Sequence, residues 1–193
     1  MGTRGAVGFV VDDQVIASYN HFDSYPSYLG RVFLQDAREI LKRFMFDPDA
    51  LVEAVEGLRK VHDGDPISKA DLDEFGEYFE NLNHPGIDWY ELLRGMQGRL
   101  LLMLDEGIML VCGDSWMHDG LFNEFSYLLN LDTKQIEFYK GFCRRDCKGR
   151  FCDRSTSSNG DRVTLVGVVD FVDFLDQDND EALLREIYGE DYY

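Results

Sequence analysis

Arg4, Tyr19, Asn20, His21 and Asp23 are the residues whose types and spacing best suit chemistry in this chain. Four of them open the stretch YNHFDSYPSYLG, which runs from residue 19 to residue 30. His21 titrates near neutral pH, and Asp23, two residues on, could orient its imidazole through a carboxylate. An N-terminal hairpin would carry Arg4 on the strand beside Tyr19 and His21. A guanidinium, a phenol, an amide and an imidazole gathered at one sheet end suit an anionic or nucleotide-like ligand. The same residues also have a purely structural reading. Asn20 and Asp23 can close side-chain turns, Tyr25-Pro26 forces an extended residue ahead of a helix, and tyrosines bury their rings while wetting their hydroxyls.

Other constellations are weaker. Cys143, Cys147 and Cys152 fall at C-x3-C-x4-C spacing, with Cys112 far upstream. The N-terminus shows no basic segment followed by an apolar run, so disulfides are not expected. Zinc would need a fourth ligand from Cys112 or a distant histidine, away from the usual paired knuckles. Asp176, Asp178 and Asp180 begin like a calcium loop. Glu181 then takes the glycine position and Ile187 the bidentate glutamate position, so the match fails. No nucleophile elbow, phosphate-binding lysine loop, zinc-protease helix or dinucleotide glycine fingerprint occurs. No catalytic residue, metal or cofactor is therefore assigned.

Charge sets the choice of partner. The 193 residues carry 37 acids against 19 Lys and Arg, a net of −18. Residues 170–193 hold nine acids against Arg185 alone, whereas residues 140–154 are net positive by four. That balance repels phosphates and argues against direct nucleic-acid binding. It favours a protein with a basic surface, and Asp173, Asp176, Asp178, Asp180, Glu181 and Glu186 are the candidate contacts. No run approaches the 18 apolar residues of a membrane helix, and a cytoplasmic protein is the expectation.

The elements that must position these groups follow from periodicity. Two valine-rich runs around Asp12-Asp13 predict a hairpin. Phe33, Ala37, Ile40, Leu41 and Phe44 lie at helical spacing. Asp47-Pro48 is a helix-start signal, as is Ser68 ahead of Leu72, Phe75, Phe79 and Leu82. Asp88 and Glu91, at capping-box spacing, open a helix expected to end near Gly107. The middle of the chain, about 30–106, thus reads as helical. Beyond it, IMLVC is a strand, FSYLLNLDTKQIEFYKGF a hairpin around Asp132-Thr133, and RVTLVGVVDFVDFL at least one more strand. DNDEALLREIYG reads as a terminal helix, residues 153–162 as a mobile loop and residues 176–193 as an acidic C-terminal segment. The whole is a single α+β domain with C-terminal antiparallel strands.

Two resemblances add expectations. MGTRGAVGF, YNHFDSYPSYLG and FSYLLNLDTKQIEFYKGF together resemble a family of small bacteriophage and mobile-element proteins. That implies an accessory protein that acts by binding, chiefly as an acidic inhibitor or nucleic-acid mimic directed at a host nucleic-acid-binding or defence protein. A sequestering protein for a nucleotide-like ligand is the alternative. The opening strand and the late hairpin also resemble N-terminal-nucleophile hydrolases, which implies a sandwich of two sheets and amidohydrolase chemistry. Removal of Met1 would expose Gly2, which has no side chain to attack with, so the resemblance is to a relative without the nucleophile.

Overall fold

A computed structural model describes residues 2–79 and 87–193. Strands β1 (Gly5–Val11) and β2 (Gln14–Asn20) form the expected hairpin. Its two turn residues, Asp12 and Asp13, both have positive φ, 49° and 60°, the left-handed pair that matches strand twist. Asp132 accepts both of their backbone N–H groups, at 2.9 and 2.8 Å. At Gly8 the chain meets β2 so closely that a Cβ would stand 2.3 Å from the Ile16 carbonyl oxygen. A side chain there would force the pair apart.

After one π-helical turn, Pro26–Gly30, helix α1 (Arg31–Arg43) buries Phe33, Leu34, Ala37, Ile40 and Leu41 on one face. Helix α2 (Pro48–Glu56) starts as its residues dictate, with Asp47 accepting from the Ala50 N–H at 3.2 Å. Residues Arg59–Val61 then form a short strand, β3, where the sequence predicted only helix and loop. Helix α3 (Lys69–Phe75) opens on a capping box between Ser68 and Asp71. It is shorter than its periodicity suggests: Phe75 is buried, Leu72 is exposed, and Leu82 lies outside the described residues.

The helix expected from Asp88 to Gly107 is broken into α4 (Trp89–Leu92), a 3-10 turn (Arg94–Met96) and α5 (Leu100–Glu106). Gly98 is the cause. Its φ of +75° cannot continue a helix, and its Cα side packs against Leu29 and Asn20, where a Cβ would stand 2.7 and 2.9 Å away. Because α5 has no cap of its own, Asp36 of α1 accepts the Leu101 N–H at 3.2 Å and lies 3.9 Å from Arg99. Asp36→Ala is expected to cost about 1 kcal/mol in chemical denaturation, the usual effect of losing such a cap. An unchanged midpoint would show that α5 needs no cap from α1.

Strand β4 (Ile108–Leu110) pairs in parallel with β3 and leads to α6 (Asp114–Met117). Strands β5 (Phe125–Asn130), β6 (Gln135–Cys143) and β7 (Arg162–Asp170) are antiparallel, and helices α7 (Phe171–Asp176) and α8 (Asp180–Tyr188) close the chain. The main sheet has the order β2-β1-β5-β6-β7, with β1 and β5 parallel. The class is α+β, built on a mixed sheet. The two-sheet sandwich implied by the hydrolase resemblance would need a second full sheet, and the described residues form one five-stranded sheet and the two-stranded β3-β4 pair.

The two faces of the main sheet are covered differently. Val7, Phe9, Val11, Tyr127, Leu129, Ile136 and Phe138 face a large core under α1, α2, α5 and α8. Ala6, Val10, Ala17, Leu128, Tyr139 and Val163 face a smaller one, covered by Met117 of α6 and Phe151 of the β6–β7 connection. That connection holds a disulfide between Cys147 and Cys152, whose Cα atoms are 5.5 Å apart. This corrects the expectation of free thiols. The intervening Gly149, at φ +85°, folds the short loop back on itself and brings the two sulfurs together, a closure that spacing alone does not reveal. Cys112 and Cys143 remain free, and no cluster of three or more metal-ligating side chains occurs among the described residues.

Candidate functional site

Alternation along β1 and β2 decides which of the sequence candidates can meet. Residues Ala6 and Tyr19 are paired across the hairpin and point to the side of the smaller core, and Arg4 follows Ala6 on that side. Asn20 points the opposite way and is buried, donating to the Phe22 carbonyl and to Ser24 Oγ. Ser24 in turn donates its N–H to the Thr3 carbonyl, at 3.1 Å, and its own carbonyl accepts from the Tyr127 hydroxyl, at 3.0 Å. Asn20 therefore locks the strand-to-helix junction. Asp23 is exposed, with a positive φ of 52°, and its carbonyl accepts the Leu29 N–H. The carboxylate-oriented imidazole expected from His21 and Asp23 does not form. His21 Nδ1 lies 2.7 Å from the Tyr19 hydroxyl, because the exit of β2 turns Asp23 outward while Tyr19 stays on the imidazole's side.

Arg4, Tyr19 and His21 do converge, and they meet groups that sequence reading missed. The Tyr19 ring packs edge-on against Trp116, at 5.3 Å between centroids, and tilted against Tyr90 at 6.0 Å. His21 lies 6.2 Å from Tyr90 and 4.2 Å from Phe22. Arg94 reaches over both Phe22 and Tyr90, at 5.3 and 4.9 Å. The Arg4 guanidinium sits 4.8 Å from the Phe122 ring centre and faces the Tyr19 hydroxyl. Its partners among the described residues are thus an aromatic ring and a phenol, neither of them an anion.

The long-range supports are explicit. The β3-β4 pair abuts the β2 edge through a bridge between Ser18 and Val111, and the Cys112 N–H donates to the Ala17 carbonyl at 2.7 Å. This docks Val111–Gly113 and Trp116 beside Tyr19, while α4 supplies Tyr90, next to its buried Trp89. Between them lies a cleft of about 310 Å³, lined by Tyr19, Asp63, Tyr90, Leu110, Val111, Cys112, Gly113 and Trp116.

Burial pushes the Tyr19 hydroxyl above its usual range, with Arg4 and Arg94 opposing. Burial, then Arg94 and Arg4, lower the His21 imidazole below its ordinary 6.5. Both groups are therefore neutral at pH 7. The Cys112 sulfur packs against the smaller core, and desolvation pushes its thiol up to about 12. Neither the phenol nor the thiol ionises near neutral pH, so the cleft holds no activated nucleophile. Its lining offers aromatic edges and faces with one carboxylate, Asp63, and the Arg4 guanidinium stands beside it at the Tyr19 hydroxyl.

Across the Cys112 wall lies a second cleft of about 350 Å³, containing Asp13, Asp114, His118 and Arg150. Its charges are already matched internally. Arg150 pairs with Glu137 and Asp13, Arg154 with Asp114, and His118 lies 3.3 Å from Asp153, though not aligned for a hydrogen bond. The candidate partner acids are spread over two helices. Asp180 is held by Arg38 at 2.6 Å and Glu181 by Arg185 at 2.9 Å, while Asp173, Asp176, Asp178 and Glu186 are exposed. No helix among the described residues is long and apolar enough to cross a membrane. Comparisons with protein-family models, curated proteins and solved structures give no significant match, so the cleft must be read from its own chemistry.

Proposed function

We propose that this protein is a binding protein for a small anionic, aromatic ligand of the nucleotide class, held in the cleft walled by Tyr19, Tyr90 and Trp116 with Arg4 beside it. The observation that supports it most is the Arg4 guanidinium, which among the described residues has the Phe122 ring and the Tyr19 phenol but no carboxylate as partners, in a chain of net charge −18. In so acidic a protein, a guanidinium beside edge-on and tilted aromatics suits an incoming phosphate, with the base against the ring walls, while the nearby Glu124 carboxylate is engaged by the Arg4 backbone N–H at 3.0 Å. The resemblance to phage accessory proteins gives the activity a setting, the sequestration of a nucleotide signal. Nucleic-acid mimicry is less well supported, because Asp180 and Glu181 are engaged by the protein's own arginines.

Isothermal titration with a panel of mono-, di- and cyclic nucleotides tests the proposal. At least one should bind, and Arg4→Ala should weaken it about 30-fold or more, the loss of a charge-assisted contact. Asp23→Ala should leave affinity unchanged. A panel without any binder, or equal binding by Arg4→Ala, would dismiss the reading.

His21 supplies an independent check. Its free imidazole is held below 6.5, so the unfolded chain takes up a proton first as pH falls. Stability should therefore be full above about 6.5 and decline as pH drops through the folded value. A bound phosphate reverses the local field, and the His21 titration followed by NMR should move upward on adding ligand. A downward or absent movement would place the anion elsewhere.

A further inference from the structure

Far from the cleft, with no residue in common, an apolar groove of about 520 Å³ runs between α1, α2 and α7. Leu41, Phe44 and Met45 come from the end of α1, Leu51 and Val52 from α2, and Phe171, Val172 and Leu175 from α7. Two of its lining side chains are ones a folded chain normally hides, Val172 at 70 % exposed and Met45 at 51 %, and Phe46, next to Met45 in the chain, is 94 % exposed. Scattered apolar residues on a surface need no explanation, but a contiguous apolar groove marks an interaction site. Its rim is acidic. Asp49 lines it, Asp47 caps α2 beside it, Glu53 is exposed on α2, and Asp173 and Asp176 are exposed on α7. Lys134 is the lining cation among the described residues; at the end of α1, Lys42 is exposed and Arg43 is taken up by Asp105.

From this combination we infer that the groove docks a basic amphipathic helix of a partner protein. The apolar stripe of such a helix would enter between Met45, Val52 and Val172, and its flanking lysines or arginines would meet Asp47, Asp49, Asp173 and Asp176. Helix-in-groove recognition supplies this geometry: anchors at every third or fourth residue in the groove, charges outside it. A second copy of this chain is disfavoured by the same rim, since a symmetric contact would set acid against acid in a molecule of net −18.

A fluorescein-labelled 14-residue Leu/Lys peptide with its leucines on one helical face is the probe, followed by anisotropy. A Leu/Glu peptide of the same pattern and a Lys/Gly peptide of equal charge serve as controls. The Leu/Lys peptide should bind, weaken with added salt, and lose about tenfold or more on Val172→Glu. Both controls should bind far more weakly. Val172 and Phe46 are exposed, so Val172→Glu and Phe46→Ser should keep the thermal midpoint and separate lost binding from lost folding. Arg4→Ala should leave peptide binding intact, which keeps this test distinct from that of the nucleotide cleft. Equal binding to Val172→Glu, or equal binding of the Lys/Gly peptide, would reduce the effect to general electrostatics and overturn the inference. A concentration-dependent dimer in light scattering that Val172→Glu dissolves would overturn it too, by making the occupant a second copy.

Discussion

Arg150→Ala is expected to lower the folding stability by about 3 kcal/mol or more in urea denaturation at pH 7, because it strands a buried carboxylate. Glu137 sits near the start of β6, and burial alone would raise its pKa. Arg150, Asn130 and Tyr139 outweigh burial and hold it below the ordinary 4.5. Arg150 contributes two bonds, at 3.0 and 3.1 Å, and Asn130 and Tyr139 one each at 2.7 Å. The guanidinium is itself about four-fifths buried and also reaches Asp13 in the first hairpin turn. The penalty has a defined pH dependence. Glu137 stabilises the native state above 4.5, and that contribution is lost as pH falls through the folded value. Without Arg150 the buried Glu137 of the variant takes up a proton at higher pH than in wild type, so the gap to wild type should narrow as pH falls. Glu137→Gln combined with Arg150→Met should recover much of the stability, since the amide oxygen still accepts from Asn130 and the amide NH2 can donate to the Tyr139 hydroxyl. A double variant as unstable as Arg150→Ala would show that packing, not the stranded charge, was the cause.

Tyr188→Ala is the second large effect, about 3–4 kcal/mol by the same measurement. The ring is buried among Phe125, Tyr127 and Phe138, with centroids 5.6, 6.2 and 6.3 Å away, and its hydroxyl donates to the Tyr139 carbonyl at 3.1 Å. Truncation leaves a cavity and an unsatisfied carbonyl together. Charge reversal at the neighbouring exposed acids, Asp176→Lys and Asp178→Lys, should stay within about 0.5 kcal/mol. The contrast separates the two halves of the C-terminal segment's character. Its net charge suggests a solvated tail, yet Phe174, Leu184, Tyr188 and Tyr192 make it a wall of the main core. Comparable small effects for all three substitutions would mean that α8 is not docked as described.

What could be read in advance had local causes. The Asp47-Pro48 start, the Ser68 cap, the two hairpins and the apolar face of α1 each follow from a few adjacent residues. The errors are where distant parts decide. Arg59–Val61 becomes a strand only because Ile108–Leu110 lies beside it, and Gly98 breaks a helix because Asn20 and Leu29 occupy the space its Cβ would need. The site divides the same way. Tyr19, His21 and Arg4 were legible from strand alternation and hairpin register. Tyr90, Arg94 and Trp116 were not, since nothing local says that α4 and the β4–α6 turn end beside β2. Even Asn20, adjacent to His21, was misplaced, because a one-residue step on a strand changes sides.

The parallel pairing of β1 with β5 sets a timetable for the growing chain. Gly5 aligns with Phe125, so the centre of the sheet cannot close until 120 further residues have been made. At typical synthesis rates that is on the order of ten seconds, during which a strand buried on both faces in the finished molecule stands bare. High contact order of this kind slows folding, because the loop must close before its contacts repay it. The Asp12-Asp13 carboxylates, at the tip of the waiting hairpin, keep that early intermediate charged at one end until Asp132 arrives to clasp it.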